Sequence, residues 1–148
     1  MFERFERFTV LITKINRAVR RIKTQEMQGL DLKSPHVSCL YYLHKTPMMT
    51  ATQLCQKTSQ DRAAMSRALD FLEKNDYLVC LSDAKKRYNS PLKLTEKGEG
   101  VAKVVVEKID SVLAQTAETM SEDDRMKMYQ MLTIVERSLS EYCRRYEQ

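Results

Sequence analysis

At 148 residues, with 43% hydrophobic and 30% charged positions, the chain is long enough for an ordinary domain with a real core and too apolar for wholesale disorder. Only three glycines and three prolines argue against a many-turned β fold, and a net charge of +5 permits an anionic partner without demanding one. Charges interrupt the apolar N-terminal stretch and no later run is long enough to cross a bilayer, so a cytoplasmic protein with no membrane partner is expected.

The first predicted element is a helix in which Phe5, Phe8, Ile12, Ile15, Val19 and Ile22 step 3-4-3-4-3, an apolar heptad stripe. Gly29 reads as a helix stop. Lys33-Ser34-Pro35 then opens a short helix with proline in its tolerant first turn, and Pro47 ends it. In "MTATQLCQKTS", Thr50 and Gln53 have the spacing of a capping box, with Met49 and Leu54 as its hydrophobic staple. The stretch 60–78, "QDRAAMSRALDFLEKNDYL", reads as the next helix, with Asp61 as its N-cap.

That helix has two unlike sides. Met65, Ala68, Leu69 and Leu72 fall at i, i+3, i+4 and i+7 and form a buried stripe. The opposite side begins with Arg62, Ala63, Ser66 and Arg67, short residues set between guanidinium groups. Short side chains allow close approach to a groove floor, and arginines reach base edges and phosphates. Two helices joined across "QKTSQ" make a helix-turn-helix. The β-prone runs "YLVCLS" and "SPLKL" flank "DAKKRYN", giving a basic two-stranded wing, with Pro91 confining its strand to an edge. Thr95 caps a long helix over 96–119, and Ser121 with Asp124 caps a last one. On that last helix Met128, Leu132, Val135, Leu139, Tyr142 and Tyr146 form a second stripe. The two end stripes either pack on their own domain or meet each other and a second subunit; the apolar surface they carry together predicts a homodimer.

The run from Asp61 to Lys74, the wing cluster Lys85-Lys86-Arg87 and the "LTEKG" at 94–98 resemble the MarR (multiple antibiotic resistance regulator) family. The order of elements is similar over essentially the whole chain, and 50–98 is the specific part. The resemblance implies a mainly α fold with a small β wing, forming one domain over 1–148. Within it lie a winged helix-turn-helix at 34–98, dimerisation helices at 1–30 and 120–148, and a long connecting helix at 96–119. It also implies a homodimeric transcription factor, usually a repressor, on a pseudo-palindromic operator in double-stranded DNA. Asp61, Arg62, Ala63, Ser66 and Arg67 then fall at the groove-facing start of the recognition helix. Arg87 falls on the wing arginine, with Lys85 and Lys86 beside it. The chain departs from the family pattern twice: Asn75-Asp76 replaces a glycine after the recognition helix, and Lys85-Lys86 replaces an acidic partner of the wing arginine, leaving Asp83 for that role.

His36 and Cys39, at i and i+3, can share a helix face, where an imidazole would lower a thiol's pKa. No orienting third group accompanies them, so no enzyme is expected. Two histidines and no C-x-x-C pair provide little for zinc, and neither metal nor cofactor is expected. Cys39, Cys55, Cys80 and Cys143 read as reduced thiols, with a redox-responsive regulator as an alternative. Of Tyr41 and Tyr42, one is expected in the core, the other beside a cavity. With His36 they are the candidate site for a small aromatic effector, which the family binds near that junction. A winged-helix module for protein–protein assembly is the other alternative.

Overall fold

The computed structural model describes residues 2–82 and 88–146, the side chains of 2, 5 and 116 excepted. Among these residues six α-helices and two strands run in the order α1 (Phe2–Gln25), α2 (Ser34–Lys45), α3 (Ala51–Thr58), α4 (Arg62–Lys74), β1 (Leu78–Cys80), β2 (Leu92–Leu94), α5 (Glu96–Ala117) and α6 (Glu122–Cys143), with a 3-10 turn at Arg144–Tyr146 after the last. They fall into two compact units, Met1–Ile109 and Asp110–Gln148. No described helix is long and apolar enough to cross a membrane.

The local signals set most boundaries. Pro35 lies in the first turn of α2, and Lys33 N–H donates to His36 Nδ1 at 3.1 Å, so a histidine caps this helix start. At α3 the capping box is complete: Gln53 N–H donates to Thr50 Oγ1 at 3.2 Å, and Thr50 N–H to Gln53 Oε1 at 2.9 Å. Ala64 N–H donates to Asp61 Oδ1 at 2.7 Å, Gly98 N–H to Thr95 Oγ1 at 3.0 Å and Asp124 N–H to Ser121 Oγ at 3.1 Å.

Two expectations need correction. Helix α4 stops at Lys74 rather than reaching residue 78. Asp76 N–H donates to Glu73 O at 3.0 Å, and Tyr77 N–H to Leu72 O at 2.8 Å, the paired bonds of a Schellman motif. Asp76 takes the left-handed position at φ 60, where glycine is the usual residue, and Leu78 turns into β1. The second correction concerns Pro91. Antiparallel pairing sets Leu78 against Leu94 and Cys80 against Leu92, so β2 has β1 on one side. On the other, Leu92 N–H donates to Met49 O at 3.0 Å beside a bridge from Thr50 to Pro91. Proline lacks a donor, but its carbonyl accepts from Leu81 N–H, and its neighbour's amide supplies the bond to Met49. The strand start is therefore flanked on both sides.

One core holds this winged-helix region together. Leu40 and Leu43 of α2, Leu54 of α3, Met65, Leu69 and Leu72 of α4, Leu78 and Leu92 of the strands and Val105 of α5 are all buried in it. The stripe read from 65, 68, 69 and 72 is the buried side of α4. Gly98 lets α5 start against the end of β1's lead-in: a Cβ there would lie 1.8 Å from Tyr77 O. The His44–Glu99 pair (2.8 Å) ties α2 to α5, and Lys23 Nζ donates to Ser38 Oγ at 3.0 Å between α1 and α2.

Candidate nucleic-acid interface

The site is assembled from α3, the turn after it, the first two turns of α4 and the returning arm of the wing. Ser59 ends α3 in the left-handed conformation, φ 52 and ψ 32, which turns the chain tightly into Gln60 and Asp61. Asp61 then spends its carboxylate on the helix start. Arg62, Ala63 and Arg67 are exposed, while Ser66 is half-buried. The short residues and the two arginines thus share an open helix start whose free N–H groups and dipole favour anions.

The wing cluster Lys85, Lys86 and Arg87 lies outside the described residues, as does Asp83. Its two ends are defined. The Ser82 and Ser90 hydroxyls are hydrogen-bonded to each other across the neck. Tyr88, which sequence reasoning passed over, reaches back to α4: its hydroxyl donates to Arg62 O at 2.6 Å, and the Arg62 guanidinium lies over its ring at 5.3 Å. Thr52 Oγ1 donates to Tyr88 O at 3.2 Å, which joins the same residue to α3. The only sequence signal was an aromatic directly after a basic cluster.

His36 and Arg67 meet at a cavity of about 400 Å³ between the start of α2 and the exposed flank of α4, with Lys33, Asp31 and Phe71 also in its wall. The His36 ring stacks on Phe71, centroids 4.1 Å apart and planes nearly parallel. Burial and then Lys33 lower the histidine's pKa, Asp31 opposing, which keeps Nδ1 available as an acceptor for the cap. Tyr41 and Tyr42 do not line this cavity. They form an edge-to-face pair at 5.4 Å, both half-buried against the core, with Lys45 over the Tyr41 ring.

The activation of Cys39 that a shared face with His36 would permit is not found, and Cys39 is the buried, reduced thiol of the other reading. Burial pushes the Cys39 thiol up to about 12, with Cys55 adding to the shift, and its S–H contacts Met65 Sδ at 3.6 Å. The histidine is occupied with the Lys33 amide and Phe71, and a desolvated thiol stays protonated. Burial also raises Cys55; Arg62 opposes that shift and Asp61 reinforces it. Among the described residues no group of three or more His, Cys, Asp or Glu is arranged to hold a metal.

The whole arrangement has counterparts among known proteins. The chain matches NMB1585, a MarR family regulator from Neisseria meningitidis, with a TM-score of 0.80 at 18% identity, covering 93% of this chain and 97% of that one. Its fold is the MarR fold. S. aureus MepR, solved as a complex with DNA, shares the MarR fold with this chain at a TM-score of 0.78 and 19% identity, covering 89% and 97% of the two chains. In sequence, the chain is 22% identical over 130 residues to the uncharacterized HTH-type transcriptional regulator YfiV of Bacillus subtilis (strain 168), over 88% of this chain and 81% of that protein. No family model matches the chain.

Proposed function

We propose that this protein is a sequence-specific DNA-binding transcriptional regulator, a homodimer that represses from a pseudo-palindromic operator and is released by a small aromatic effector. The observation that carries the reading is the open start of α4, with Arg62, Ala63 and Arg67 exposed beside a capped α3 and a wing. The MarR fold, known in MepR as a DNA complex, supports the same partner. In this reading Arg62 and Arg67 reach base edges, while Lys85 and Lys86 contact phosphates, which carry no sequence information directly. Arg87 reads minor-groove width and potential. Asp61 contributes through the helix start that it caps.

The exposed apolar stripes support the dimer. Ile12, Ile15, Val19 and Ile22 on α1, and Leu132, Leu139 and Tyr142 on α6, are all solvent-exposed large side chains of the isolated chain. A second copy that covers them gains the burial energy the single chain leaves unused. The cavity walled by His36, Phe71, Lys33, Arg67 and Asp31 supports an effector site for a flat anionic molecule, since one wall is aromatic and the two cations at its border outnumber the single carboxylate. It shifts the effector reading from Tyr41 and Tyr42 to His36.

Selection of duplexes from a random pool by the purified protein tests this. The expected product is an inverted repeat whose half-site centres lie about 34 Å apart, one turn of B-DNA. Retention of random sequence, or of single asymmetric sites, overturns the operator reading. Arg62→Ala or Arg67→Ala should cost roughly 1–3 kcal/mol on the selected site. Lys85→Ala with Lys86→Ala should instead weaken all DNA alike and reduce the salt dependence by about two phosphate contacts.

A further inference from the structure

Tyr88 sits where the returning arm of the wing crosses the start of α4, and it makes three separate contacts there. Its hydroxyl bonds the carbonyl of the first residue of α4, its ring lies under the guanidinium of that same residue, and its own carbonyl accepts from Thr52 on α3. An exposed arginine has many rotamers, and each contact to a ligand must order them first. Stacking on an aromatic face removes part of that freedom while leaving the edge of the guanidinium, with its in-plane N–H fork, open to donate. The hydroxyl bond acts on the backbone instead and fixes the root of the wing against the helix that carries Arg62. Desolvation, with Cys55 and Asp61 reinforcing it against the opposition of Arg62, raises the phenol's pKa, so it stays a donor.

We infer that Tyr88 is a positioning residue for base reading: it holds the Arg62 guanidinium over its ring and joins the returning arm of the wing to the recognition helix. The inference rests on the DNA-binding reading above and deepens it, because it names how the reading arginine is held. A tyrosine that merely packed would, when replaced, lower stability and weaken every duplex in proportion.

The test uses the full chain and compares affinity for the selected duplex with that for a scrambled one, by fluorescence anisotropy, in Tyr88→Phe, Tyr88→Leu, Arg62→Ala and the two double variants. Loss of a cation–π contact in Tyr88→Leu should lower the ratio of the two affinities by about fivefold. Tyr88→Phe keeps the ring and should lose only about twofold, the low end for one hydrogen bond. The Tyr88→Leu loss should shrink to about twofold when Arg62 is already alanine, because no guanidinium is left to hold while the hydroxyl's bond to the backbone carbonyl of residue 62 is still lost. The Tyr88→Phe loss should persist in that background, since alanine keeps the carbonyl. Should Tyr88→Leu fail to fold, Tyr88→Met takes its place. A loss in Tyr88→Leu that Arg62→Ala does not diminish, or a ratio that Tyr88 variants leave unchanged, overturns the positioning role while the regulator reading stands. Wild-type protein that prefers no duplex overturns both.

Discussion

The winged-helix region and the C-terminal helix contain similar kinds of side chain and use them in opposite ways. Between Met27 and Val106, most leucines, valines and methionines are buried, and Leu72 has no exposed surface at all. Helix α6 has methionines, leucines, an isoleucine and tyrosines at comparable density, yet none of its residues is buried, and Leu139 is 53% exposed. Composition is therefore not what separates the two. Helices α2 and α3 and strand β1 pack on α4 and cover its apolar stripe, while the stripe on α6 is left open within its own unit. A module that closes its core alone has a stability independent of concentration. A helix with an uncovered apolar face depends on what comes to cover it.

The same substitution at Leu72 and at Leu139 breaks or sharpens that contrast most directly. Leu72→Ala should destabilise by about 2–5 kcal/mol through lost burial and the cavity it leaves, whatever the protein concentration. Leu139→Ala should change stability by no more than about 0.5 kcal/mol in dilute, dissociated protein. Its cost should grow as concentration rises and a second copy buries the position. Denaturant unfolding over a range of protein concentrations measures both. Equal, concentration-independent losses at the two leucines would mean that α6 is covered within its own chain.

Two cysteines give a smaller and chemically separate version of the comparison. Cys143 on α6 is exposed, while Cys39 is buried in the module. At mildly alkaline pH a thiol reagent should label Cys143 in the folded protein and reach Cys39 only through unfolding. Burial raises the Cys39 thiol from 9.0 to about 12. A raised acid leaves stability intact below the unfolded value and erodes it as pH climbs from there toward the folded one. Cys39→Ala should therefore flatten the decline in stability above pH 9.0. An unchanged alkaline slope, or prompt labelling of Cys39 in folded protein, would count against its burial.

The smallest effect lies inside the module, at the turn between α3 and α4. Ser59 holds φ 52 there, a conformation that carries a steric cost for any residue with a Cβ. Ser59→Gly should raise the melting temperature modestly, with a gain of up to about 1 kcal/mol after the added freedom of the unfolded chain is subtracted. A loss of stability would show that the serine side chain contributes more than its strained backbone costs.

Features that depend on neighbours three or four residues apart were legible in the sequence by itself. The Thr50–Gln53 box, the Asp61, Thr95 and Ser121 caps, the stripe on α4 and the two strands follow from local spacing, and each was found where the pattern put it. The open basic start of α4 was readable for the same reason, because helical period alone assigns its residues to one side. Tertiary structure decided what depends on neighbours far away in the chain. Tyr88 meets Arg62 across 26 positions, and no periodicity links a wing arm to a helix start. His36 could have faced Cys39, but Phe71 and the Lys33 amide claimed its ring, and the burial that left Cys39 inert is a property of the assembled core. The end of α4 fell between the two cases: Asn75-Asp76 offered two residues able to turn left-handed, and Asp76 took the role as Tyr77 bonded back to Leu72 and the chain entered the sheet.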